Sequence, residues 1–296
     1  MLKAYIQLTK PGIIFGNLIA VFGGFFLATR EAYPFLLFFW SILGVALIIA
    51  GGCVANNLID RDIDALMKRT SMRATVTGEI SLIAGSFYSV ILTIAGLLVL
   101  FYFVNPLSGL LGLLGLLVYV GFYSLYFKRN SIYGTLIGSV SGAVPPVIGY
   151  VAVTNHFDLS ALILLLMFSV WQMPHAYAIA LNRFEDYKVA KIPVLPHVKG
   201  LKRTQVECLI YCFIFLLLST ALGLIEQKRL AYTFVAFILS VYWLFLAFKL
   251  FKIPSSNTTF QDQMPLTLCY QRASKKLFYF SIILITLSSL AMAIPY

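Results

Sequence analysis

Nine apolar runs of about 20 residues follow one another along this chain, and each is as long as a helix must be to cross the hydrocarbon of a bilayer. They fall at roughly 13–28, 35–55, 81–103, 107–127, 134–153, 159–180, 206–224, 230–248 and 277–294. In lipid, a spanning segment must satisfy its own backbone N–H and C=O groups, so runs of this length read as helices. A barrel would show short alternating strands instead. The 296 residues are 60% hydrophobic and 11% charged, against roughly 25% charged in a soluble domain. The fold class expected is all-α: a polytopic membrane protein with about nine transmembrane helices in the lipid bilayer, around a central cavity opening to the cytoplasmic side. Lys3 and Lys10 give the first run the look of a signal peptide. No small-x-small cleavage site follows it, so it reads as a retained helix. No linker or low-complexity block divides residues 1–296, which read as a single domain.

A net charge of +11 would suit a nucleic acid, but its distribution does not. With the N-terminus cytoplasmic, segments on that side hold 19 of the 22 Lys and Arg, and the other side keeps Arg30, Lys228 and Arg229. This is the positive-inside bias. No nucleic-acid partner is expected, and the chain is assigned to the bacterial cytoplasmic (inner) membrane with its N-terminus and motif loops cytoplasmic. The outer loops (29–34, 104–106, 154–158 and 225–229) are short, whereas the inner loops after the second, sixth and eighth runs are long. Polar chemistry is thus concentrated on one face, above an apolar interior. That shape suits a substrate with an anionic head and a greasy tail. Cys208 and Cys212, one helical turn apart, read as packing residues rather than metal ligands. In "GTLIGSVSGAVPPVIG", Gly134, Gly138 and Gly142 fall near one helix face. They serve either close helix packing or a cavity beside a kink at Pro145 and Pro146.

The second run ends in "NNLIDRDIDALMKRT". Asn56, Asp60 and Asp64 are spaced four apart, so on a helix they share a face and rise about 6 Å per step, with Asp62 pointing elsewhere. Two carboxylates at that spacing repel by about 3 kcal/mol at an effective dielectric near 20. A divalent cation reverses the sign. Mg2+ takes one or two carboxylates and leaves other positions to water and substrate phosphate. The sixth run ends in "ALNRFEDYKVAKIPVLP", where Asn182 and Asp186 repeat the spacing with Glu185 alongside. Two such ends on one face can hold two Mg2+ with a diphosphate bridging them. Basic residues lie close by: Lys68, Arg69 and Arg73 after the first cluster, Lys128 and Arg129 after the fourth run, and Arg183 and Lys188 in the second cluster. They are candidate diphosphate ligands, although positive-inside bias alone would also put cations there.

These motifs resemble the UbiA superfamily of intramembrane prenyltransferases. More narrowly, "TKPGIIFGN", "YGTLIGSVSGAVPPVIGY", "WQMPHAYAIA" and "IPVLPHVKG" resemble the branch of that family that farnesylates heme. The resemblance runs through about residue 200, and beyond that it rests on hydropathy and span count. It implies transfer of a farnesyl group from farnesyl diphosphate to a vinyl group of heme b, with addition of water, giving heme O. It implies Mg2+ as cofactor, heme b as substrate, and handover of the product to a heme-copper terminal oxidase. It also implies that Asn56, Arg69 and Arg73 matter to catalysis with Asp60 and Asp64. His175, in "WQMPH", is implied to bind heme. Read without the family, His175 is equally an interior histidine satisfied by a hydrogen bond. Asn57 departs from the pattern, since many relatives carry Asp there.

Three rivals stand beside this reading. One is the same chemistry on an aromatic quinone precursor, against which WQMPH speaks. Another is a cation transporter, which should carry ionisable groups near mid-membrane. The third is a heme-binding assembly factor, which has no use for the acidic ladder.

Overall fold

The structure is a computed structural model that describes residues 1–29, 34–226, 230–254 and 264–294, without the side chains of 264–267. Arg30, Lys228 and Arg229, the basic residues assigned to the outer loops, lie outside the described residues. Among the described residues, nine helices are long and apolar enough to cross a membrane: α1 (Pro11–Ala28), α2 (Phe35–Ile59), α3 (Leu82–Val104), α4 (Pro106–Asn130), α5 (Gly134–Thr154), α6 (Leu159–Asn182), α7 (Gly200–Ile225), α8 (Leu230–Phe251) and α9 (Leu268–Ala291). No strand occurs among the described residues.

Local chemistry sets the helix ends. Pro11 and Pro106 stand in the first turns of α1 and α4, where a missing N–H costs nothing. Asn105 and Asp158 cap α4 and α6, accepting from Ser108 N at 2.7 Å and Ala161 N at 3.0 Å. The helix containing α9 begins at Met264, well before the expected 277. Gln271 to Lys276 are polar but hold no Pro or Gly, so the helix runs on past its apolar part. Gly200, at φ +79°, ends the short helix Leu195–Val198 in the left-handed region and starts α7 earlier than its apolar run suggests.

The helices alternate in direction and close a ring. Each of α1 to α5 packs on neighbours in sequence, α1 also packs on α5, and α9 closes onto α1, α6 and α8. The tightest approach is between α1 and α5. A Cβ on Gly24 would lie 1.9 Å from the Pro146 carbonyl oxygen, and one on Gly149 would lie 2.2 Å from the Val21 carbonyl oxygen. Gly134, Gly138 and Gly142 serve both roles: they line a cavity, and a Cβ on Gly142 would lie 2.2 Å from Gln172 Oε1 and one on Gly134 2.9 Å from the Phe127 carbonyl oxygen. Helix α5 continues unbroken through Pro145 and Pro146. Cys208 and Cys212 are fully buried in the apolar cluster that joins α6, α7, α8 and α9, with Phe215 and Trp243.

One feature departs from a plain α-helical reading. Residues Leu117–Phe127 of α4 form a π-helix, and so do Leu100–Val104 of α3. The wider i→i+5 turn is rare and clusters at functional sites. Here it sets the aspect of Tyr119, Tyr123 and Lys128, all of which line the cavity, and it aims Ser124 at Asn56.

Candidate functional site

The acidic ladder straddles the end of α2. The helix stops at Ile59, but the hydrogen-bond register continues, with Asp60 N donating to Asn56 O at 2.9 Å and Asp64 N to Asp60 O at 2.8 Å. A short helix, Arg61–Leu66, carries the chain on. Asn56, Asp60 and Asp64 are each buried, Asp60 and Asp64 to 1% exposure. A carboxylate so buried needs a partner, and each has one. Lys128 pairs with Asp60 and Arg73 with Asp64. Asn56 is held from three sides: its Nδ2 donates to Asp60 Oδ2 at 2.8 Å and Ser124 Oγ at 3.0 Å, and its Oδ1 accepts from Lys10 Nζ at 2.7 Å. Burial pushes the Lys10 ammonium down to about 8. Lys10 also holds φ at +54°, a strained value for a residue with a side chain.

Asp62 faces away, 66% exposed. Arg129 grips it through two parallel bonds of 2.7 Å, donates to Ile59 O at 2.6 Å, and lies 3.8 Å from Asp60. The guanidinium holds the Asp62 carboxyl down to about 2. Arg129 is thus tied to the outside of the ladder. Lys68 and Arg69 are exposed on the loop that follows.

The second acidic cluster caps α6. Asn182 Nδ2 donates to Ala178 O at 2.8 Å. Arg183, Glu185 and Lys188 are exposed, and Asp186 is half-buried. The two motif loops meet through an apolar contact: Ile63 and Met67 pack with Ala190 and Ile192, flanked by Tyr187. Burial pushes the Tyr187 phenol up. Among the described residues no three of His, Cys, Asp and Glu converge as a metal cluster. Buried oxygens without a hydrogen-bond partner nevertheless remain at Asp60 Oδ1 and Asn182 Oδ1, one in each cluster. This donor set of few carboxylates and amide oxygens fits Mg2+, which keeps positions for water and phosphate.

Behind the ladder lies a cavity of about 680 Å³, walled by α1, α2, α4, α5, α6 and α9. Lys128 is the one Asp, Glu, Lys or Arg in its wall among the described residues. Gly12 and Gly16 leave open space where a Cβ would stand. His175 also lines the cavity, seven residues before the end of α6, which is ~10 Å of helix. Its ring stacks on Trp171 at 4.8 Å and meets Phe278 at 4.8 Å. Its Nδ1 lies 2.7 Å from Ser281 Oγ. His197 packs edge-on to Phe184 at 4.0 Å and is absent from the cavity wall.

Sequence reasoning missed Lys10, Ser124, Tyr119, Tyr123, Tyr187 and Ser281. Lys10 had a faint signal, a lysine directly before the proline that starts a span. It reads as topology until a partner 46 residues away is visible.

Comparison with known proteins bears on the whole arrangement. A profile of the UbiA prenyltransferase family matches residues 17–268. A protoheme IX farnesyltransferase from Klebsiella pneumoniae is 49% identical, over 100% of this chain and 96% of its own length. A protoheme IX farnesyltransferase 2 from Pseudomonas fluorescens is 46% identical, over 100% and 95%. Among solved structures, a UbiA homologue from Archaeoglobus fulgidus bound to GPP and Mg2+ superposes with a TM-score of 0.70 at 17% identity, covering 95% of this chain and 99% of that one. A structure described for digeranylgeranylglyceryl phosphate synthase gives 0.77 at 19%, covering 99% and 98%.

Proposed function

The chain belongs to the UbiA prenyltransferase family, and from that premise we propose that it moves a farnesyl group from farnesyl diphosphate to a vinyl group of heme b. Water adds in the same reaction, giving heme O. The observation that carries this reading is the cavity itself. It is apolar and charged only at Lys128 among the described residues, and that lysine, paired with Asp60 of the buried ladder, shares its wall with a stacked histidine.

The chemistry follows from the geometry. Asn56, Asp60 and Asp64, with Asn182, Glu185 and Asp186 opposite, would hold Mg2+, which when bound stabilises charge on the departing diphosphate. Lys128 and Arg73 neutralise Asp60 and Asp64, and both cations can turn to phosphate oxygens when a metal takes the carboxylates. Lys10 offers a third, half-buried cation. Lys68, Arg69, Arg183 and Lys188, exposed on the same loops, add to the positive field that draws a diphosphate in. The farnesyl C–O bond breaks as charge moves onto diphosphate. The apolar wall keeps water from the allylic cation until the vinyl carbon attacks. A water then adds to the new cation beside the macrocycle and loses a proton. His175 binds the heme.

Residues 1–296 act as one domain in the bacterial cytoplasmic membrane, with the N-terminus and both motif loops on the cytoplasmic side. The basic excess on those loops supports that orientation. The product passes to a heme-copper terminal oxidase. The quinone-precursor reading remains the nearest rival. A transporter is disfavoured because the cavity wall holds no carboxylate among the described residues.

The test is a turnover assay on purified protein in detergent with heme b, farnesyl diphosphate and Mg2+, with products read by mass. The expected product is heme b plus a farnesyl group and a hydroxyl, lost on chelation of Mg2+. Reaction with an aromatic quinone precursor and not with heme would overturn the acceptor assignment.

A further inference from the structure

The geometry points to Ser281 as the residue that fixes the tautomer of His175 and so presents Nε2 to the cavity as a bare lone pair. The inference rests on the heme-binding reading above for its purpose, but not for its geometry. Ser281 lies in α9, 106 residues from His175, and is fully buried. Its Oγ stands 2.6 Å from the Phe278 carbonyl oxygen and 2.7 Å from His175 Nδ1.

A serine hydroxyl has one proton to give. Were it given to the imidazole, two lone-pair oxygens would face each other at 2.6 Å with nothing between them. The proton therefore lies toward Phe278 O. The serine oxygen must then accept, and a neutral imidazole has a single N–H with which to donate. That N–H is on Nδ1, so Nε2 carries the lone pair.

Two further contacts hold the ring plane. Trp171 stacks at an interplanar angle of 28° and Phe278 packs at 36°, both at 4.8 Å. Trp171 is itself fixed to the same serine, with Nε1 donating to Ser281 O at 3.0 Å. One residue of α9 thus anchors both rings of α6. A bare Nε2 suits an electron-pair acceptor such as a heme iron, and hydrogen bonding at the other nitrogen sets both the orientation and the basicity of such a ligand. Ser281 is a positioning residue, since it acts through His175.

The experiment uses full-length protein in detergent, labelled with 15N-histidine. The chain has three histidines, and His175→Ala identifies the resonances of His175. Without heme, the wild type is expected to show His175 as the Nδ1–H tautomer. Ser281→Ala is expected to move population to Nε2–H and weaken heme binding by ~10–100-fold, the range for outer partners of metal ligands, with farnesyl diphosphate binding unchanged. Ser281→Thr, which keeps the hydroxyl, is expected to restore both. A wild-type His175 found as Nε2–H overturns the inference and needs no variant to fold. So does a Ser281→Ala protein with unmoved tautomer and heme affinity. If His175→Ala binds heme as the wild type does, the heme-binding reading fails and takes the purpose of Ser281 with it, while the wild-type tautomer still tests the geometry.

Discussion

The two polar regions of this molecule are built on opposite plans. At the mouth of the cavity, charge is dense and borrowed. Asp60 is answered by Lys128 from α4, Asn56 by Lys10 from before α1, and Asp64 by Arg73 from the following loop. About 10 Å of helix deeper, His175 sits in a neutral clamp of two aromatic rings and a serine. A buried ion pair is costly to assemble, and either partner left alone is costlier. Partners of this kind exchange only for other charges, and a metal diphosphate brings both signs at once. The clamp has nothing to exchange. It fixes a direction before any ligand arrives, which is what preorganisation requires. The difference predicts that substitutions at the mouth act on the chemical step, whereas those at the clamp act on which acceptor is held.

The largest effect should come from Asp60→Ala. In the proposed site it removes a metal ligand and strands Lys128, and kcat/KM is expected to fall by ~10³-fold or more. The isosteric Asp60→Asn keeps the shape and should be as inactive, and it should unfold at a lower temperature because Lys128 loses its counter-charge. A loss of only a few-fold in Asp60→Asn would break the plan assigned to the mouth. Next is His175→Ala, expected to weaken heme binding by more than the ~10–100-fold of an outer partner while leaving the affinity for farnesyl diphosphate as it was. Equal losses in both affinities, read by separate titrations, would erase the division between mouth and clamp. Lys128→Met comes third. It should raise KM for farnesyl diphosphate by ~10-fold, the worth of one charge-assisted hydrogen bond, without moving heme affinity.

The comparison also separates what a sequence can carry from what it cannot. The nine spans and the ladder spacing were legible because length, apolarity and an i, i+4 repeat are local properties of one helix. The partners of the ladder were legible only in part. Arg73 and Lys128 were among the cations named as diphosphate ligands and are bonded to Asp64 and Asp60, but nothing paired either with its carboxylate, and Lys10, 46 residues from Asn56, was not among them. Nothing in "LVYVGFYSLYF" marks a π-helix. Ser281 fell in the third of the chain with the least motif signal, because a serine in an apolar helix means nothing until its neighbours are known. The acidic clusters advertised themselves through composition, while the clamp is made of residues ordinary in any membrane helix.

Asp62 offers the finest cut within the mouth, because it is two residues from Asp60 and differs from it in little except direction. Asp60 is 1% exposed and faces Lys128, whereas Asp62 is 66% exposed and holds Arg129 against the outside of the helix end. Removing the Asp62 carboxylate frees a guanidinium that keeps its bond to Ile59 O at 2.6 Å and stays within 3.8 Å of Asp60. An exposed ion pair contributes at most about 1 kcal/mol, so Asp62→Ala should cost less than about fivefold in kcat/KM and leave the unfolding temperature nearly unmoved. Arg129, released on one side, can swing toward Asp60 and compete with Lys128 for it, so the small loss should show in KM for farnesyl diphosphate rather than in kcat. Should Asp62→Ala cost as much as Asp60→Ala in folded protein, direction on the helix would not be what separates these carboxylates. The mouth would then work as a diffuse acidic field, with no ladder of aimed ligands.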